Sequence, residues 1–127
     1  MTIPNWAEKT ILIVEDDEIS MEFLVELLYP TNAKVLSAKD GQGAIDACLK
    51  NKDIDMVLMD IRLPVINGRE AMQEIKKHNP NLVVIAQTAF AMSGDKEKYL
   101  ESGFDDYVSK PIIMEEIIEK ISRFFDK

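Results

Sequence analysis

Three short stretches of this chain, Ile11 to Val14, Met56 to Met59 and Leu82 to Ala86, are almost purely apolar. Each is too short for a buried helix and has the length of a strand covered on both faces, which places it inside a parallel sheet rather than in a half-solvated antiparallel one. The segments between them have helical spacing. In the first, Ile19, Phe23 and Leu27 share one face and Glu18, Glu22 and Glu26 another. Ala44, Ile45, Cys48 and Leu49 give the second an apolar face, Ala71, Met72 and Ile75 the third, and Ile113, Ile117, Ile121 and Phe124 the last. A period that switches repeatedly between strand and helix reads as five βα units.

Turn residues divide the chain at the same places: Pro30 with Asn32, Asp40 with Gly41, Asn67 with Gly68, Asn79 with Pro80, and Gly103. The expected strands are 10–15, 34–38, 55–59, 82–87 and 105–108. The second and fifth are the more polar and suit sheet edges. With right-handed crossovers this predicts an α/β, doubly wound parallel sheet of five strands in the order 2-1-3-4-5, with five helices on both faces. The 127 residues fit one domain, 1–127, in which 1–9 form an N-terminal extension or tether. One cysteine, Cys48, excludes an internal disulfide.

In such a sheet the binding crevice lies at the carboxyl ends of the strands. There the sequence places Glu15, Asp16 and Asp17 after the first strand, Asp60 at the end of the third, Thr88 on the fourth, and Ser109, Lys110 and Pro111 after the fifth. Clustered carboxylates raise one another's proton affinity unless a cation enters. An all-oxygen set without nearby histidine or cysteine suits Mg2+ better than zinc, and magnesium commonly bridges carboxylates to a phosphoryl group. A carboxylate can attack phosphorus while a cation and a hydroxyl neutralise the oxygens. On this reading Asp60 is the nucleophile, Lys110 the phosphate cation and Thr88 the hydroxyl. Glu15, Asp16 and Asp60 hold the metal together with the backbone carbonyl of Arg62, and the small Ala89 leaves room beside the phosphate.

The runs Ile11-Leu12-Ile13-Val14-Glu15-Asp16-Asp17, Met59-Asp60-Ile61-Arg62-Leu63-Pro64 with Asn67-Gly68, Gln87-Thr88-Ala89, and Asp106-Tyr107-Val108-Ser109-Lys110-Pro111 together resemble the receiver domain of two-component response regulators. The resemblance spans about Thr10 to Phe125 and implies a flavodoxin-like fold. It implies that Asp60 accepts a phosphoryl group from a phosphohistidine on a sensor histidine kinase or histidine phosphotransfer protein, with Mg2+ bound. It further implies that Thr88 and Tyr107 are switch residues acting on the face of helix four, strand five and helix five, and that the Lys110–Pro111 bond is cis. Ala89 to Asp95 and Gly103 to Ile112 are similar to the receiver modules of hybrid sensor histidine kinases. The chain is therefore expected in the cytoplasm, alone or as part of a membrane-anchored hybrid kinase, as a monomer or weak dimer. Glu15 stands where many relatives carry aspartate, and the bulk of Arg62 and Phe90 bears on the lifetime of the acyl phosphate.

Fifteen basic against 23 acidic residues, a net charge of -8, argue against a nucleic-acid or anionic-lipid surface. No apolar run reaches membrane-spanning length, so this domain is expected to make no membrane contact. The rival reading is a magnesium-dependent phosphatase with an aspartate nucleophile. Such enzymes usually carry a second aspartate two residues on, where this chain has Arg62, so only self-phosphorylation and slow autodephosphorylation are expected. A flavin module would want hydroxyls where Glu15 to Glu18 stand. Gly41-Gln42-Gly43 lacks a third glycine for a dinucleotide loop. His78 is expected near a helix end rather than in a relay, Cys48 in the core, and Trp6 over an apolar edge or in a tether.

Overall fold

The computed structural model describes residues 2–89 and 95–126, with backbone alone at 95 and 96. Its elements run β1 (Thr10–Val14), α1 (Glu18–Leu28), β2 (Lys34–Ala38), α2 (Gly41–Lys50), β3 (Met56–Asp60), α3 (Gly68–His78), β4 (Val83–Thr88), α4 (Asp95–Ser102), β5 (Asp106–Ser109) and α5 (Met114–Phe125). All four strand pairings are parallel, in the order β2-β1-β3-β4-β5. The apolar runs form the three central strands and the polar ones the edges, as the sequence predicts.

Alternation along the strands sends side chains to two cores. Ile11, Ile13, Met56, Leu58, Ile85 and Val108 pack with Leu24 and Leu28 of α1 and Ile117 and Ile121 of α5. Leu12, Val14, Val57, Met59, Val84 and Ala86 pack with Ala44 of α2, Ala71 and Met72 of α3, and Tyr99 of α4. Helices α1 and α5 thus cover one face and α2, α3 and α4 the other. Each wholly buried Leu or Ile contributes about 1.5–3 kcal/mol.

Capping residues are where the turn signals place them. Asp40 Oδ1 accepts from the Gly43 N–H at 2.7 Å, and Asn67 and Glu70 form a reciprocal capping box at the start of α3. Gly103, after α4, has φ +119°, open to glycine and rarely to other residues. At the opposite end of the sheet from the predicted crevice, the Asp55 carboxylate accepts from the Thr10 N–H at 2.8 Å, and Asp105 accepts from the Val84 N–H at 2.8 Å and Lys76 at 2.7 Å. These acids satisfy backbone donors at strand starts.

One expected helix face is corrected. Ile19 and Phe23 are 77% and 50% exposed; of the expected face only Leu27 is buried, and it is joined by Leu24 and Leu28. The helix carries two apolar stripes, and the one continuing from Met21 through Leu24 to Leu28 meets the sheet. Ile113 likewise lies outside, as the N-cap residue of α5. Trp6 is 3% exposed, packed edge-on against Phe125 at 5.2 Å, and its N–H donates to Thr31 O through the backbone at 2.6 Å.

Two substitutions test these constraints. A methyl at Gly68 would collide with the Asp60 carbonyl and lie 2.9 Å from Ile61 Cα, so Gly68→Ala should cost about 2–3 kcal/mol in urea unfolding. Val65, exposed and β-branched, holds φ +65°. Val65→Asn should stabilise by about 1 kcal/mol in the same assay, since asparagine tolerates the left-handed region.

Candidate functional site

Every residue of β3 is buried, and Asp60 is its last. The chain reverses immediately: the Arg62 backbone N–H donates to Asp60 Oδ1 at 2.9 Å, and the Ile61 N–H donates to Gln87 O at 3.1 Å. The carboxylate is thereby fixed at the sheet edge with its second oxygen turned to Lys110, whose Nζ lies 3.3 Å from Asp60 Oδ2 and 3.0 Å from Glu15 Oε2. Glu15 is buried and follows β1, its own N–H extending the pairing to Ala38 O at 3.0 Å. Lys110 follows β5, and its N–H donates to Thr88 O at 2.7 Å. Its bond to Pro111 is cis.

Glu15, Asp16 and Asp60 each bring one oxygen within 4.8 Å of the others, Asp16 being the exposed member. Burial pushes the Glu15 carboxyl up to about 7; the Lys110 hydrogen bond opposes this and the Asp60 carboxylate reinforces it. Burial alone would lower the Lys110 ammonium, but the hydrogen bond it donates to Glu15 and the charge of Asp60 outweigh this and raise it. This donor set, all oxygen and electrostatically crowded, fits a hard divalent cation. The adjoining groove, about 810 Å³ and lined by Glu15, Asp16, Glu18 and Glu22 among others, extends the same negative field.

Thr88 ends β4, buried, and Ala89 beside it is exposed. Arg62 is exposed; its backbone reaches Asp60 through the N–H described above. Asp17 caps α1, accepting from the Ser20 N–H at 3.0 Å and hydroxyl at 2.7 Å, which holds its carboxyl below the usual range. His78, at the end of α3, lies 3.8 Å from Glu74. Burial pushes the Cys48 thiol up to about 11, which makes it inert as a thiolate. Phe90 and the stretch Ala91 to Gly94, singled out above, lie outside the described residues.

Three residues around the site went unassigned in the sequence. Gln87 is wholly buried, directly opposite Asp60 in the β3–β4 register, and its side-chain amide has no partner among the described residues. A lone glutamine in the run Val83 to Thr88 was its only signal. The Tyr99 hydroxyl donates to Thr88 Oγ1 at 3.1 Å. Lys120 donates to the Tyr107 carbonyl, and its ammonium stands 4.5 Å from the centre of the Tyr107 ring.

A sequence profile of the response regulator receiver domain matches residues 11–122. The chain belongs to this family. Hybrid signal transduction histidine kinase I of Dictyostelium discoideum is 44% identical over 110 residues, which are 80% of this chain and 6% of that protein. The polar-differentiation response regulator DivK of Brucella anthropi is 35% identical over 118 residues, 91% of this chain and 95% of that one. Among solved structures, the receiver domain of a Pseudomonas aeruginosa sensor histidine kinase, with magnesium coordinated in its active-site cleft, is 31% identical at a TM-score of 0.84, covering 94% of this chain and 98% of that one. The receiver of Saccharomyces cerevisiae Ssk1, in complex with the histidine phosphotransfer protein Ypd1, is 29% identical at 0.83, covering 98% and 91%. The chain is thus a receiver domain of two-component and phosphorelay signalling, built on the CheY-like doubly wound sheet. Among the described residues no helix is long and apolar enough to cross a membrane.

A buried amide without a partner costs about 1–3 kcal/mol. Gln87→Met, close in shape, should therefore raise the urea midpoint without changing the slope.

Proposed function

We propose that Asp60 is the phosphoacceptor and that the donor is a phosphohistidine on a kinase or phosphotransfer protein. The observation that carries this is the dual restraint on the Asp60 carboxylate, with Oδ1 on the Arg62 N–H and Oδ2 facing Lys110. A carboxylate so held presents an oxygen to an incoming phosphorus in a fixed direction. The new bond joins that oxygen to phosphorus as the phosphorus–nitrogen bond breaks, and the departing imidazole keeps the electron pair. Lys110 stands ready to offset charge on a phosphoryl oxygen. Glu15, Asp16 and Asp60, with the Arg62 carbonyl, are the residues that would hold Mg2+. When bound, the ion neutralises the carboxylates and the phosphoryl oxygens.

A protein donor suits the rim. Exposed Phe23 lines one small cavity with Lys110, and exposed Ile19 and Ile113 follow Glu15 and Lys110 by four and three residues in the chain. Arg62, two residues beyond Asp60, cannot supply the acid–base carboxylate of a turnover phosphatase. The domain therefore turns over only its own acyl phosphate. Thr88 and Tyr107 would carry the phosphorylated state to the face formed by α4, β5 and α5 as a population shift.

Intact-mass measurement after incubation with acetyl phosphate and Mg2+ tests the reading. The parent should gain one phosphoryl group; Asp60→Asn and chelator-treated protein should gain none. Labelling of Asp60→Asn would move the acceptor elsewhere, and release of phosphate from many external esters would make the protein a phosphatase.

A further inference from the structure

Thr88 and Asp60 lie on neighbouring strands but face opposite sides of the sheet. Asp60 follows the alternation of Met56 and Leu58 toward α1 and α5, whereas Thr88 follows Val84 and Ala86 toward α3 and α4. On that side the Tyr99 hydroxyl meets Thr88 Oγ1 at 3.1 Å. The Tyr99 ring is itself wedged, edge-on to Phe104 at 6.3 Å and tilted against Tyr107 at 5.9 Å. A single side chain of α4 thus touches both residues proposed above to carry the switch.

We propose that Tyr99 is a positioning residue, a latch by which α4 holds the Thr88 hydroxyl on the resting side of the sheet and must release it when Asp60 is phosphorylated. The inference rests on Asp60 as phosphoacceptor. Its physical basis is competition within one rotamer choice: Thr88 has a single hydroxyl on a stiff β-branched side chain. Turned to Tyr99, it faces away from the side on which Asp60 would carry a phosphoryl oxygen. Turned to the phosphoryl group, it abandons the phenol, and Tyr99 loses the contact that ties it to β4. Tyr99 then moves with its neighbour Tyr107, so the signal reaches α4 and β5 through one side chain. The latch stabilises the unphosphorylated state, and removing it shifts the population toward the phosphorylation-competent one.

Tyr99→Phe isolates the hydroxyl, since phenylalanine keeps the ring contacts with Phe104 and Tyr107. In the full chain, with acetyl phosphate and Mg2+ and labelling followed by intact mass, Tyr99→Phe should reach half-labelling about two- to tenfold sooner than the parent, the range that one net neutral hydrogen bond supports. The gain should vanish when Tyr99→Phe is added to Thr88→Val. A general loosening of α4 would persist in that background, so this cycle separates positioning from packing. Equal or slower labelling of Tyr99→Phe beside a labelled parent overturns the latch, as does a gain that survives Thr88→Val. If the parent takes no label on Asp60, the phosphoacceptor reading fails and the latch with it.

Discussion

Two carboxylates, Glu15 and Asp60, are buried at the end of the central strands against one ammonium, Lys110, at 3.0 and 3.3 Å. Removing like charges from water is unfavourable, and a single cation shared between two anions does not balance them. With exposed Asp16 the cluster holds three carboxylates and one ammonium, a formal excess of two negative charges. Burial, reinforced by the Asp60 carboxylate, raises the proton affinity of Glu15 in the same sense, so the cluster favours added positive charge. A divalent ion matches the excess in magnitude and in its preference for oxygen. A site that is electrostatically incomplete in this way is suited to taking up a hard divalent cation.

Backbone geometry makes the cluster possible. Residues 15, 60 and 110 are far apart in sequence, and parallel pairing with β3 between β1 and β4 brings their strand ends to one edge. Gly68 is part of the same construction. Its missing side chain lets α3 begin against the Asp60 carbonyl, so that the turn after β3 closes tightly enough for the Arg62 N–H to reach the carboxylate. The orientation of the Asp60 carboxylate is thus set by main chain on one side and by Lys110 on the other.

The strands and turns were legible because their determinants are local: apolar runs of strand length, and Asp, Asn and Gly at helix starts and ends. The convergence of Glu15, Asp16, Asp60 and Lys110 followed from topology once strand order was inferred, whereas the Thr88 hydroxyl turns to Tyr99. What escaped the sequence depends on choices between equivalent local patterns or on contacts between distant elements. Helix α1 offers two apolar stripes, and spacing alone does not say that Leu24 and Leu28 win over Ile19 and Phe23. Tyr99 reads as ordinary core at helical spacing until its hydroxyl is seen on Thr88. Trp6 carries no periodic context, and only the end of α5 reveals what it covers.

The polar groups of this domain divide by location. At the strand starts Asp55 and Asp105, and at the helix starts Asp17, Asp40 and Asn67, each has backbone donors to satisfy and so stabilises the fold. At the strand ends the carboxylates meet one another and a lysine, and Gln87 is buried beside Asp60 with its amide unpaired. Unfavourable electrostatics and the unpaired Gln87 amide therefore share one end of the sheet; ahead of β1, the buried Trp6 indole N–H also lacks a partner among the described residues. On the proposed reading, that asymmetry would let a charge change at Asp60 be felt: a well-packed scaffold would not absorb it, and the response would pass to the side chains with alternatives, Thr88 and the aromatic residues of α4 and β5 that face it.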